Sequence, residues 1–170
     1  MLLGWWADDG TRRLAGTDIN PDLIEWNRRH LPDVADWSVN GIDPPLPFAD
    51  DSFDCVQLIS VFTHLPLHRQ RAWTAEVRRL LRRGGSAIVT LHGAIYARLL
   101  LDDALRHQLE LDGHLSVAGA AEGANAFSAF HTERFARELF EGFAVTFYER
   151  GPRNLFPIAS LQDVYVLKKL

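Results

Sequence analysis

Hydrophobic and polar positions along this chain alternate between a strand-like and a helix-like pattern. Short apolar runs bounded by turn residues are typical of strands, and the segments between them follow the period of amphipathic helices. The predicted strands are residues 13–17, 34–40, 53–60, 87–91, 143–149 and 163–167. This alternation predicts an α/β fold in layers around a mostly parallel sheet, closed by the last two strands as an antiparallel pair.

Capping residues bound the predicted helices. Asn20 is a favourable N-cap and Pro21 suits the first helical position, so a helix is predicted from there to His30. A long helix is predicted to run through Arg83 and to stop at Gly84, because arginines favour the negative helix end and glycine ends helices. The remaining predictions are the end of a helix at 2–7, a helix at 95–111, a loop at 112–126 and a helix that begins after Thr132.

Composition narrows the class of protein without naming a function. The 170 residues are 47% apolar and 24% charged, which suits one globular domain rather than a disordered chain. With 18 basic and 22 acidic residues the net charge is −4, so nothing favours nucleic acid as a partner. No apolar run reaches the length of a membrane span, so no membrane partner is expected.

Cys55 is the single cysteine, and it lies within the nearly continuous apolar run at 53–60. Such a run predicts a strand covered on both faces, with Cys55 as an inert core residue. A lone cysteine forms no internal disulfide, which favours a reducing compartment. The expected location is therefore cytoplasmic.

Asp18 follows directly after the first predicted strand and precedes a predicted helix. A carboxylate at the C-terminal tip of a parallel strand points into the crevice where α/β folds bind nucleotides, and it can accept hydrogen bonds from ribose hydroxyls. The structural alternative is an acidic residue that stabilises the positive end of the following helix.

Four stretches, taken in order, resemble the class I S-adenosylmethionine-dependent methyltransferases. They are LAGTDINPDLIEWNRRHLP, PPLPFADDSFDCVQLISVFTHL, RAWTAEVRRLLRRGGSAIVTLHG and QDVYVLKK, and they span residues 14–169. The resemblance implies a Rossmann-like three-layer α/β/α sandwich with strand order 3-2-1-4-5-7-6 and an antiparallel strand 7. It also implies S-adenosylmethionine as the cofactor.

The resemblance carries cofactor contacts onto matching positions of this sequence. It assigns the ribose to Asp18, the adenine to Ile19, Asn40 and Gly41, and the wall beside the methionine part to Ser60 and Val61. It further implies that residues 94–130 form the variable insertion that shapes the acceptor pocket.

The sequence departs from the family at its amino end. No G-x-G-x-G motif occurs, and the predicted helix at 2–7 corresponds to the one that follows the family's first strand and glycine-rich turn. The resemblance therefore predicts a single methyltransferase-like domain over 1–170 that is N-terminally truncated and lacks the first strand. Trp5 and Trp6 would then be exposed, and such a surface could pair two copies as a homodimer.

Three histidines are candidates for a catalytic base. Methyl transfer is an in-line displacement in which the protein supplies alignment and, for some acceptors, a base. His64 and His92 each follow a predicted strand at its C-terminal edge, and His131 precedes the last predicted helix, where the resemblance also has a histidine. Each could instead be structural, and their spacing supports no metal site.

The expected function is methyl transfer from S-adenosylmethionine to an oxygen or nitrogen of a small-molecule or saccharide acceptor. One alternative is a non-catalytic truncated remnant that binds no cofactor. Another is a nicotinamide-dependent oxidoreductase, which is disfavoured because the sequence lacks G-x-G-x-x-G and ends in a predicted antiparallel strand.

Overall fold

A computed structural model describes residues 13–117, 127–151 and 161–170 of the chain. The chain divides into two units, Met1–Leu46 and Pro47–Leu170. The helix end predicted at 2–7, with Trp5 and Trp6, lies outside the described residues.

The first unit contains β1 (Ala15–Asp18), α1 (Pro21–His30) and β2 (Asp36–Val39). The two strands pair in parallel, with Asp18 opposite Val39. The helix begins where the sequence predicts, because the Asn20 side chain accepts a hydrogen bond from the Asp22 N–H. Its buried side chain is Ile24.

The second unit holds the remaining elements of the described chain. Its strands are β3 (Phe53–Leu58), β4 (Leu81–Leu91), β5 (His114–Val117), β6 (Ser128–His131), β7 (Phe143–Glu149) and β8 (Asp163–Lys169). Its helices are a short 3₁₀ helix (Phe62–His64), α2 (Leu67–Leu80), α3 (Ala94–Leu100), α4 (Asp103–Asp112) and α5 (Glu133–Leu139). Among the described residues, no helix combines the length and apolar composition needed to cross a lipid bilayer.

The larger sheet of the second unit has the order β3-β4-β8-β7, and β5 and β6 form a separate antiparallel pair. β3 and β4 are parallel, whereas β8 runs antiparallel to both β4 and β7. The order β2-β1 in the first unit and β3-β4-β8-β7 in the second match the neighbours 3-2 and 4-5-7-6 implied by the resemblance. The α/β prediction and its antiparallel closing pair are thus confirmed.

The predicted helix end at Arg83 is wrong. α2 ends at Leu80, and Leu81 has extended backbone, is fully buried and pairs with Phe53. The pairing of β3 with β4 then shifts register. Cys55 pairs with Ser86, so the residues of β4 between Leu81 and Ser86 bulge out of the ladder. Gly84, at a φ of 76°, lies inside that bulge rather than at a helix terminus.

The helix predicted at 95–111 is two helices. Leu101 leaves the helical conformation, and the Asp102 side chain accepts the Leu105 N–H at 2.9 Å, which caps α4. The loop predicted at 112–126 also needs correction at its start, because β5 occupies His114–Val117 and pairs with β6. Residues 118–126 lie outside the described part.

The strand predicted at 53–60 is present as β3, but the prediction that it is covered on both faces, with Cys55 in the core, is wrong, since Asp54 and Cys55 are exposed. Within the described sheet β3 is an end strand that pairs with β4 on one side. The buried strands of this sheet are instead β4 and β8, in which Ala87, Val89 and Leu167 are buried.

Candidate functional site

Asp18 is held at the C-terminal end of β1 by the turn that leads into α1. Its Oδ1 accepts the Asn20 N–H at 2.8 Å, and the Asn20 Oδ1 accepts the Asp22 N–H at 2.9 Å. The Asp18 Oδ2 has no hydrogen-bond partner in the described ranges. A fixed, half-buried carboxylate thus keeps one oxygen open to a hydroxyl donor.

The other predicted residues of the first unit lie beside Asp18. The Asn40 N–H donates to the Asp18 carbonyl at 3.1 Å, and the Asn40 Nδ2 donates to the Gly41 carbonyl at 2.6 Å. Ile19, the next residue along the chain, has 44% of its surface exposed. The C-terminal ends of β1 and β2 therefore present a carboxylate, an amide and an exposed apolar side chain.

Ser60 makes the turn that follows β3 in the second unit. Its φ of 57° lies in the left-handed region, which is uncommon for a residue with a side chain. Its N–H donates to the Thr90 Oγ1 at 2.8 Å, and its carbonyl accepts the Thr63 hydroxyl at 3.0 Å. The turn leads to Val61, whose side chain is 40% exposed.

His64 ends the 3₁₀ helix and is half-buried. Its Nδ1 lies 2.9 Å from the carbonyl oxygen of Phe127, which only accepts hydrogen bonds. The Nδ1 therefore carries the proton in the neutral ring, and the lone pair is on Nε2. This leaves Nε2 as the nitrogen able to take a proton.

His92 follows β4 directly and is buried. Its ring stacks on Tyr96 with centroids 4.1 Å apart, and it meets the His64 ring edge to face at 6.3 Å. Burial, and next the charge of His64, lowers the pKa of His92 to about 4. The His92 carbonyl accepts the His131 N–H at 2.9 Å, which joins the end of β4 to β6.

His131 is fully enclosed, and its tautomer is fixed by Gln70. The Gln70 Nε2 donates to the carbonyls of Phe62 and Leu65 at 2.9 and 2.8 Å, so its Oε1 is the atom that faces the His131 Nε2, 2.8 Å away. His131 is therefore protonated at Nε2, and its buried Nδ1 has no hydrogen-bond partner among the described residues. Burial, with the nearby His114 and His92, holds the pKa of His131 well below its ordinary value.

The structure thus brings His64 and His92 together at the C-terminal edge of β3 and β4. His131 lies next to His92 and is more deeply buried. Within the described ranges, no group of three or more His, Cys, Asp or Glu side chains is arranged to hold a metal ion. The polar groups around these three histidines include other histidine rings and carbonyl groups.

Three residues of this edge have no local sequence signal. Gln70 is 61 residues from His131, and Gln162, which contacts the Ser60 hydroxyl, is 102 residues from it. Tyr96, which stacks on His92, lies in α3, which the sequence predicts as part of one longer helix. Only the antiparallel direction of β8 hints that Gln162, at its start, lies at the C-terminal edge of β3 and β4.

Comparison with known proteins gives the family. The sequence profile of the methyltransferase domain matches residues 1–89 of this chain. A SAM-dependent methyltransferase of Methanosarcina mazei superposes with a TM-score of 0.68 at 19% identity, covering 92% of this chain and 81% of that one.

Two further solved structures share the fold. The Burkholderia thailandensis 1,6-didemethyltoxoflavin-N1-methyltransferase, with bound 1,6-didemethyltoxoflavin and S-adenosylhomocysteine, has a TM-score of 0.66 at 17% identity, covering 98% of this chain and 64% of that one. A Haloferax volcanii methyltransferase in complex with the Trm112 activator has a TM-score of 0.61 at 18% identity, covering 98% and 78%.

At these identities the superpositions establish the fold, and the profile match over half the chain establishes the family. The strand order within each unit and the match to the methyltransferase domain agree. The chain belongs to the class I S-adenosylmethionine-dependent methyltransferases.

Proposed function

We propose that this protein transfers a methyl group from S-adenosylmethionine to an oxygen or nitrogen of a small-molecule or saccharide acceptor. The observation that carries the proposal is the fixed Asp18 carboxylate at the end of β1, with its open oxygen. A small-molecule acceptor is supported by the Burkholderia thailandensis relative, which acts on 1,6-didemethyltoxoflavin. The single Cys55 supports a cytoplasmic location.

The residues at the edge of the first unit fit the adenosine part of the cofactor. The open Asp18 oxygen suits a ribose hydroxyl, and a charge-assisted hydrogen bond of this kind is among the stronger ones. The exposed Ile19 side chain suits the apolar face of adenine, while Asn40 and Gly41 supply polar backbone and amide groups for its edge.

In the second unit we assign the methionine part of the cofactor to the turn at Ser60 and Val61. The turn presents an exposed apolar side chain on a backbone that several hydrogen bonds hold in place. The bound cofactor would supply an electrophilic methyl group on its sulfonium, and the protein contributes alignment.

We assign the role of acceptor base to His64. Its Nε2 carries the lone pair because its Nδ1–H is engaged by the Phe127 carbonyl, and that hydrogen bond also orients the ring. The buried His92 and His131 form the wall behind it.

Residues 94–130 are proposed to shape the acceptor pocket. Tyr96, Phe127 and Phe130 belong to this range, and all three contact His64 or His92. The segment that we expect to select the acceptor thus also fixes the position of the proposed base.

The first test replaces Asp18 by Asn. The amide oxygen can still accept the Asn20 N–H and keep the turn, but the charged acceptor for the ribose is lost. We expect the dissociation constants of S-adenosylhomocysteine and of adenosine, measured by titration calorimetry, both to rise about 10- to 100-fold.

Asp22→Asn is the matched control, because Asp22 is an acidic residue of the same helix start and is assigned no ligand contact. It should bind both ligands as the wild type does. Unchanged binding by Asp18→Asn would refute the ribose role. A wild-type protein that binds neither ligand would instead favour the non-catalytic alternative.

The second test replaces His64 by Gln and measures release of S-adenosylhomocysteine with an acceptor identified by screening small alcohols, amines and saccharides. Loss of a general base should lower turnover by about 100-fold or more, with unchanged affinity for S-adenosylmethionine. His107→Gln, at an exposed histidine of α4, should keep full turnover. Equal turnover in His64→Gln and the wild type would contradict the assignment.

A further inference from the structure

We infer that Gln162 is a positioning residue that holds the Ser60–Val61 turn in the shape that receives the methionine part of the cofactor. The inference rests on the proposed function and adds a residue to it. Gln162 lies immediately before β8, in the stretch QDVYVLKK, which the proposed function otherwise leaves without a role.

The turn needs support, because Ser60 has a left-handed backbone that residues with a side chain rarely adopt. Such a conformation persists only where the surroundings determine it more strongly than the local preference opposes it. For Ser60 the surroundings supply hydrogen bonds, two of which come from residues distant in the sequence.

Three contacts hold Ser60 from three parts of the chain. Thr90 of β4 accepts its N–H at 2.8 Å, and Thr63 of the following helix donates to its carbonyl at 3.0 Å. The Ser60 Oγ lies 3.0 Å from the Oε1 and 2.9 Å from the Nε2 of Gln162, so its hydroxyl is bonded to that side-chain amide. Gln162 is therefore the group that fixes the Ser60 side chain.

The position of Gln162 follows from the direction of β8. β8 is antiparallel to β4, and Asp163 pairs with Leu91 at the C-terminal end of β4. The start of β8 thus lies at the same edge as Ser60. Gln162 itself is 5% exposed, and a buried amide has its polar groups satisfied by specific partners.

The two ends of the cofactor should therefore respond differently to loss of Gln162. Ser60 and Val61 are assigned to the methionine part, whereas the ribose and adenine are assigned to residues of β1 and β2 and their ends. Adenosine lacks the methionine part and reports only on the second set.

The experiment compares Gln162→Met with the wild type in titration calorimetry with S-adenosylhomocysteine and with adenosine. Methionine keeps the length of the side chain and removes both polar groups. We expect the dissociation constant of S-adenosylhomocysteine to rise about tenfold, and that of adenosine to stay within about twofold of the wild-type value. Gln108→Met, at an exposed glutamine of α4, is the matched control and should change neither.

Equal loss of affinity for both ligands would mean that Gln162 supports the fold as a whole, and no loss for either would mean that the turn does not need it. Both results overturn the inference. If Gln162→Met does not fold, Ser60→Ala cuts the same contact from the other side and should also weaken S-adenosylhomocysteine alone; tight binding by Ser60→Ala would overturn the inference. A wild-type protein that binds neither ligand would refute the proposed function itself, and this inference with it.

Discussion

His92 is neutral in the folded protein because its ring is buried among other rings. Tyr96 stacks on one face, and Phe130 lies 5.5 Å away, centroid to centroid. Burial has removed the water that would solvate a charged ring, and these apolar neighbours do not replace it. His64 adds repulsion to the charged form. The same burial that shapes the wall of the proposed site thus makes the fold sensitive to acid.

A pH dependence of stability follows from this. Histidine in an unfolded chain titrates at about 6.5, whereas the pKa of folded His92 is about 4. Between these values the unfolded state binds more protons, so the free energy of unfolding falls as the pH falls. From pH 7 to pH 5 the loss attributable to His92 should be about 2 kcal/mol.

Urea unfolding of the wild type and of His92→Phe at both pH values measures this loss. The variant should lose about 2 kcal/mol less than the wild type between them, while His107→Asn, at an exposed histidine, should follow the wild type. Burial also depresses the pKa of His131 and raises that of Asp163, and both contributions remain in the variant. Parallel losses in the wild type and His92→Phe would exclude His92 as the source.

The sequence could predict the position of residues that lie at the end of their own strand. It could not predict hydrogen-bond partners that come from distant parts of the chain. Asp18 and Asn40 come together because β1 and β2 are parallel: Asp18 ends β1 opposite Val39, and Asn40 follows β2 directly. The contact of Ser60 with Gln162 depends on where β8 enters the sheet, which no local pattern specifies. Likewise, the tautomer of His131 depends on Gln70, whose amide N–H groups donate to two carbonyls of a neighbouring turn.

At the scale of elements, the sequence was a good guide where a side chain caps its own helix. Asn20 and Thr132 both accept hydrogen bonds from the first turns of α1 and α5, as their types predict. The same rule applies to Asp102, which caps α4, but the continuous leucine spacing from Leu101 to Leu109 hid the break. A hydrophobic period alone does not tell one helix from two that share a buried face.

The boundary between α2 and β4 shows a tertiary effect on an element. The run of arginines and glycines after Leu80 has the composition of a helix end, but Leu81 is drawn into pairing with Phe53 and into the core. Burying a leucine stabilises a fold by roughly 1.5–3 kcal/mol, which exceeds the propensity differences at a helix terminus.

The acidic residues of the loop before β3 have a structural role. Asp50 accepts from the Arg79 guanidinium at 2.7 Å, and Arg79 also donates to the Phe48 carbonyl at 2.8 Å. Asp51 accepts from Lys169 of β8 at 2.7 Å. These contacts fasten the N-terminal end of β3 to α2 and β8, at the opposite end of the strand from Ser60.

At the scale of the whole molecule, buried side chains are unevenly distributed between the units. Within residues 13–46 of the first unit, Ile24 is the one buried side chain. In the second unit, β8 lies between β4 and β7, and Val164, Tyr165 and Leu167 are each at most 5% exposed. Stability differs between regions of a protein according to such burial, so the two units should open with different free energies.

Native-state hydrogen exchange measures this difference. Amides of β8 should exchange only through global unfolding, and their rates should rise steeply with urea below the unfolding transition, since global opening exposes much surface. Amides of β1, Ala15–Asp18, should exchange faster by local opening, with rates almost independent of urea. Because the proposed ribose contact lies at the end of β1, S-adenosylhomocysteine should slow exchange in β1 in the wild type and much less in Asp18→Asn. Equal protection and equal urea dependence in β1 and β8 would show instead that both units unfold in one cooperative step.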